Sequence, residues 1–280
     1  MKHTRTICLL LLFLLLPALV ACQTPEEALL SQAKAAIEDG EFETAHELLS
    51  ALPEEPDAQD LLRRFEWTWG SESTVSTDGK ILVTTHTYGL DGCLNASECK
   101  SEAWPEEYTY TYDENQNLVR KIYHNKLLDI TTTYEYYYDE ENRLEKEIST
   151  SPLWVTTIAY SHNSDGLIVL AEKNLVRDGT TFSQETIRYS YNENKLCTKR
   201  ESINDENEIT TTLYRYKGNR LQTATTTDHD GETEVKEYTY NHNGAPIKLV
   251  HTYSDGRVST TTYSDLSLYY YPNRAVGVAE

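Results

Sequence analysis

Between residues 86 and 264, an aromatic pair with one residue between its members returns about every 25 positions. Five copies are Tyr-x-Tyr: Tyr110 with Tyr112, Tyr136 with Tyr138, Tyr189 with Tyr191, Tyr214 with Tyr216, and Tyr238 with Tyr240. His86 with Tyr88 and Tyr160 with His162 are degenerate copies, and Tyr263 ends the series. The second aromatic position advances by 24, 26, 24, 29, 25, 24 and 23 residues. A unit of that length holds two strands and two turns. Inside it Tyr alternates with Thr, Ser or Glu, the period of two that puts successive side chains on opposite faces of a strand. Tyr and Thr both suit the pleated surface. Asp78-Gly79, Asp178-Gly179 and Asp255-Gly256 punctuate the units, as do residues 204–207 and 228–231. Asp-Gly is favoured in tight hairpins because both central residues need positive φ. The region therefore predicts a long antiparallel meander of about 14 strands, two per repeat.

The run Tyr136-Tyr137-Tyr138-Asp139-Glu140-Glu141-Asn142-Arg143-Leu144 resembles the YD-repeat (rearrangement-hotspot) family, with Tyr112-Asp113 and Asn117-Leu118 next. Asn192, Lys217 and Asn241 replace the Asp in later copies. The resemblance implies a β-sheet shell or strip that encloses, presents or binds something. A sheet with one Tyr-rich face must bury it, and so many twisted strands rarely stay flat. The expected fold is mainly β: the meander curls with its Tyr face inward or folds into two layers. A single-layer strip held by cross-strand Tyr pairs is the alternative.

A different composition precedes the repeats. The chain has no Tyr before Tyr88. Thr24-Pro25-Glu26-Glu27 reads as a helix start with a capping box. Leu29, Ala33, Ala36 and Ile37 follow at helical spacing, and Gly40 stops the helix. Phe42, Ala45, Leu49 and Leu52 make a second stripe, and Ala58, Leu61, Leu62 and Phe65 a third. Residues 36–53 resemble one tetratricopeptide repeat. One repeat cannot bury a continuous core, so the expectation is a helical hairpin that caps or spaces the next domain.

At the very start, Lys2, His3 and Arg5 precede an unbroken apolar run over residues 7–16. That run is too short to cross a bilayer core, which needs roughly 20 residues, and it has the order of a signal peptide. Leu19-Val20-Ala21-Cys22 resembles a bacterial lipobox. The resemblance implies a signal peptide over residues 1–21 and acyl chains on Cys22, which would hold the protein to the extracytoplasmic face of a cell membrane. An outer membrane is included if the organism has one. The organisation expected is therefore 1–21 signal peptide, 22–66 lipidated helical region, 67–271 β-repeat domain and 272–280 tail.

The net charge of -20 excludes an ordinary nucleic-acid binder, which needs clustered Lys and Arg for phosphates. No phosphate loop, nucleophile elbow, zincin, Cys-x-x-Cys or dinucleotide motif occurs. No catalytic residue, metal ligand or cofactor is assigned. The acidic turns read as solvated hairpins, since Asp and Asn favour turns without any ion. Cys93 and Cys99 fall in the longest non-repetitive insertion, where an oxidising compartment favours a disulfide between them. Cys197 reads as a small buried hydrophobe. Trp104 and Trp154, with Tyr136 and Tyr138, are the candidate binding surface. The function expected is a non-catalytic binding or structural scaffold for an envelope protein or glycan. An envelope enzyme or assembly factor is the alternative.

Overall fold

The computed structural model describes residues 24–89, 93–101 and 105–271. The chain divides into two compact units, Met1–Phe65 and Glu66–Glu280.

The first unit holds three helices, α1 (Pro25–Glu38), α2 (Phe42–Ser50) and α3 (Pro56–Leu62). The capping box forms as the sequence predicts. The Glu27 amide donates to Thr24 Oγ1 at 3.1 Å, and the Thr24 amide donates to Glu27 Oε2 at 2.9 Å. Two otherwise unpaired helix-start donors are thereby satisfied. Gly40, at φ +76°, ends α1. Ala33, Leu49, Leu52 and Ala58 form a buried core, and Leu29, Ile37, Leu61, Leu62 and Phe65 pack around it. These are the residues of the three stripes.

The second unit is a closed antiparallel barrel of sixteen strands in meander order, in which the first strand pairs with the last. The strands are β1 (Phe65–Ser76), β2 (Ile81–Tyr88), β3 (Leu94–Cys99), β4 (Glu106–Tyr112), β5 (Leu118–Asn125), β6 (Ile130–Tyr138), β7 (Leu144–Thr150) and β8 (Val155–His162). They continue with β9 (Ile168–Arg177), β10 (Thr180–Tyr191), β11 (Cys197–Asn204), β12 (Ile209–Lys217), β13 (Arg220–Thr227), β14 (Thr233–Tyr240), β15 (Pro246–Thr252) and β16 (Val258–Tyr270).

This overturns the expected open sheet, whether curled, two-layered or a single-layer strip. An open meander leaves two edges of unpaired backbone groups, and closure removes both. At the seam Ser71 and Ser264 share a hydroxyl–hydroxyl bond of 2.7 Å, as do Thr74 and Thr261. Thr77 Oγ1 donates to the Val258 carbonyl at 2.7 Å, and Thr68 Oγ1 to that of Ser267 at 3.3 Å. One residue number rises by three as its partner falls by three, the signature of antiparallel strands in register. Sequence reading also undercounts the strands. The stretch between Cys93 and Cys99, read as part of an insertion, is strand β3 paired to β2 and β4.

The repeat motif encodes a particular turn. In the copy at Asp139, the Glu141 and Arg143 amides both donate to Oδ1, at 3.1 and 2.8 Å. The Asp139 amide donates to the Arg143 carbonyl and the Asn142 amide returns to Asp139 O. Asn142 sits at φ +60°. This is the three-residue hairpin loop with a left-handed residue last. The same bonds recur at Asp113, Asn163, Asn204 and Asp228. Asn replaces Asp freely because both present the same acceptor oxygen. Lys217 departs because its hairpin is a different one: Lys217 pairs directly with Arg220 across a two-residue loop that starts with Gly218 at φ +59°. Asp178-Gly179, at φ +52° and +77°, is the tight two-residue turn that its sequence announces.

All Tyr-x-Tyr copies lie at the ends of even-numbered strands and therefore at one rim of the barrel. Each second aromatic residue from Tyr88 to Tyr240 coincides with a β-bulge. A bulge adds a residue on one strand and re-aims its side chain. The Tyr residues are half-buried while the Thr and Ser residues between them are exposed, so the Tyr face is the inner one. The inner face is not a packed hydrocarbon core. Its buried apolar residues are few, among them Ala171, Ala224 and Ile187. A barrel of this strand number is too wide for side chains to fill.

Candidate functional site

The inner face carries two layers of chemistry. Next to the motif rim, the second Tyr of a copy reaches across to the neighbouring strand. Tyr138 Oη donates to Leu118 O at 3.0 Å, Tyr191 to Ile168 O at 2.7 Å, Tyr216 to Cys197 O at 2.8 Å and Tyr240 to Leu221 O at 2.7 Å. Each ring is a strut that ties one hairpin to the next and satisfies a carbonyl that the bulge leaves available. Burial pushes the phenols of Tyr88, Tyr240 and Tyr263 up to about 12. They are neutral at any physiological pH.

Deeper inside, Tyr108, Tyr123, Tyr134 and Tyr160 meet charged groups. Glu106 accepts from Tyr123 Oη at 2.9 Å and from Tyr108 Oη at 3.1 Å. Lys121 Nζ lies 4.1 Å from the centroid of the Tyr134 ring, a cation–π contact. Lys173 pairs with Glu185 at 2.9 Å, and Ser202 donates to the same carboxylate. Glu147 accepts from Tyr160 Oη at 3.4 Å. The interior thus alternates aromatic faces with hydroxyls and charged groups. Lys121, Lys173, Glu147 and Glu185 share the Tyr face. The alternation of Tyr with Thr, Ser or Glu puts Glu on the opposite face, and access to water is what lets these charges sit inside.

By the seam, His86 Nδ1 and Ser97 Oγ share a bond of 2.9 Å, and Ser97 Oγ lies 3.4 Å from Tyr110 Oη. Trp69 packs on Tyr263 at 4.7 Å and on His86 at 6.1 Å between ring centroids. Burial holds His86 below the ordinary imidazole range. Burial likewise raises Glu72, with Trp69 and Thr84 pulling it partly back. As pH falls through about 6.5, the unfolded chain takes up a proton on His86 before the folded one does, so stability declines. His86→Gln should flatten that decline. Melting temperatures recorded against pH check it, and equal slopes for the variant and the parent would count against it.

The candidate residues read from the sequence do not form one surface. Cys22 and Trp104 lie outside the described residues. Tyr136 and Tyr138 are half-buried on the inner face of β6. Trp154 is exposed in the β7–β8 turn, at the opposite rim from Tyr138. Cys93 and Cys99 flank the extended strand β3, which separates them by about 20 Å at ~3.3 Å per residue. That is far beyond the span of a disulfide, so the expected bridge between them does not form here. Cys197 is half-buried and its Sγ contacts the Lys199 carbonyl at 3.5 Å.

The outer face decides what surrounds the barrel. Arg120, Glu135, Glu145, Glu172, Arg188, Arg215, Glu237 and Lys248 are exposed along its strands. Charges at mid-strand are costly against lipid, so the wall stands in water. Among the described residues no helix is long and apolar enough to cross a membrane.

No family model matches the chain, and no curated protein matches it. Solved structures give distant likenesses, three of them as follows. A porin-like protein from Bacteroides vulgatus is 10% identical, with 73% of this chain and 98% of that one covered at a TM-score of 0.48. A porin-like protein from Bacteroides uniformis is 11% identical, with 70% and 97% covered at 0.44. The Photorhabdus luminescens Tc holotoxin pore is 13% identical, with 63% and 12% covered at 0.29.

Proposed function

We propose that this chain is a lipid-anchored extracytoplasmic binding protein whose barrel interior holds an uncharged glycan segment of the cell envelope, without catalysis. One observation carries the reading: a closed barrel lined by half-buried tyrosines, whose interior carboxylates Glu106, Glu147 and Glu185 are held by Tyr, Ser or Lys partners. Aromatic faces stack on sugar rings, and phenol hydroxyls and carboxylates match sugar hydroxyls. The net charge of -20 disfavours a polyanion. The leader ending in Cys22 supports the address, and the charged outer wall supports a barrel held beside the membrane rather than through it.

Two measurements test it. Cys22→Ser should move the protein from the membrane fraction to the soluble envelope fraction. Calorimetry of the full chain with N-acetylglucosamine tetramers and neutral glucan hexamers should give binding that weakens about tenfold in Tyr136→Ala, the loss expected for one stacking ring. Affinity that ignores Tyr136, or the absence of heat across the panel, would defeat the glycan reading.

A further inference from the structure

The two rims of the barrel differ in what they expose. Among the described residues, the exposed large hydrophobics lie at or beside the rim opposite the Tyr-x-Tyr motifs, with Tyr137 and Leu213 the exceptions. Ile81, Leu127, Leu128, Leu153, Trp154 and Phe182 retain between 44% and 64% of their area in water. Turn tips ordinarily carry Gly, Asn, Asp or Ser, and these turns do not need apolar tips to form. Asn125 Oδ1 accepts from the Leu127 and Leu128 amides at 3.0 and 2.9 Å. Ser151 Oγ accepts from the Leu153 and Trp154 amides at 3.3 and 3.2 Å. Polar hubs make the turns, and the apolar side chains are held outward on them.

Charge follows the same division. On the apolar arc the cations are neutralised beside the tips. Lys80 pairs with Asp78 at 2.8 Å, and Lys126 with Glu98 at 3.0 Å and Glu107 at 3.2 Å. The turn at residues 151–154 has no charged residue. Six acids gather instead on the turns at 204–208 and 228–232, which contain no Lys or Arg. There the apolar collar thins to Ile209.

From this placement we propose that the apolar arc of this rim rests on a lipid surface of zwitterionic headgroups, inserting its Leu, Trp and Phe tips between them. Adjacent hairpins stand about 10 Å apart, two strand spacings, so the tips are separate points on one rim rather than one contiguous patch. A fluid lipid surface accepts separate points, whereas a protein partner needs a continuous complementary area. Local neutrality removes the cost of bringing charge to the headgroups, and Trp154 suits the headgroup level. The acidic turns are repelled by an anionic surface and set the tilt. The proposal does not depend on acylation of Cys22.

The test uses the full chain with a polarity-sensitive fluorophore on Leu128→Cys or Phe182→Cys, and on Glu206→Cys or His242→Cys for comparison. Phosphatidylcholine vesicles are added, with and without brominated acyl chains. Probes at 128 and 182 should shift to the blue and lose about half their emission to the brominated chains, as for side chains 5–10 Å into the interface. Probes at 206 and 242 should remain aqueous. If 128 and 182 stay aqueous at saturating lipid, whether or not the leader holds the chain to the vesicles, the proposal is overturned. A blue shift that appears without lipid and grows with protein concentration would assign the rim to a second copy and overturn it equally.

Discussion

Gly70→Val should cost about 3 kcal/mol or more, the range for a forced overpacking with backbone shift. Gly70 lies on β1 at the closing seam, and a Cβ placed there falls 2.9 Å from Asp265 Cβ on β16. Real Cβ atoms do not approach that closely, and both atoms are fixed to backbone. Asp265 is already at φ +55°, so it has little freedom to retreat. The strands must part, and parting them exposes both edges of a sixteen-strand sheet. Hydrogen exchange should locate the damage: β1 and β16 amides should exchange faster while β9 and β10 stay protected. Ser71→Ala is the companion control. It removes one hydroxyl of the seam and should cost no more than about 1 kcal/mol. Uniform acceleration across the barrel in Gly70→Val would mean that closure is not a local event.

Asp139→Ala should destabilise by about 2 kcal/mol, whereas Asp139→Asn should cost only about 0.5 kcal/mol. The alanine strips the acceptor from the Glu141 and Arg143 amides and from Arg143 Nε, which bonds Oδ2 at 2.7 Å. Asparagine keeps Oδ1 and loses only the partly exposed ion pair to Arg143. Asn163 already performs this role with amide bonds of 3.0 and 2.9 Å. Denaturant melts of the two variants compare the costs directly. Equal losses would show that the ion pair, not the turn oxygen, holds the hairpin.

That contrast shows what was legible from the residues and why. The Asp of the motif, its drift to Asn, and the Asp178-Gly179 turn are readable because each is a bond network closed within five residues. The helical stripes at Leu29, Ala33 and Leu49 are readable for the same reason, since their period is local. Strand β3 was not read, because Leu94-Asn95-Ala96-Ser97-Glu98-Cys99 has no Tyr and joins the sheet through its neighbours. The candidate site was legible in its residue type only. Tyr136 and Tyr138 were singled out as surface, yet Tyr138 spends its hydroxyl on Leu118 O inside the barrel. Lys121 and Glu185 carried no local mark of being interior, because alternation treats every Lys and Glu as facing solvent.

The residues alone therefore determine strand direction and turn type, both of which follow from contacts between near neighbours. Closure belongs to the tertiary structure. Ser71 meets Ser264 across 193 residues, and a period of two looks the same in an open ribbon and a closed ring. The joining of those two ends turns one face into a lumen, admits water to it, and so lets charge stand beside tyrosine there.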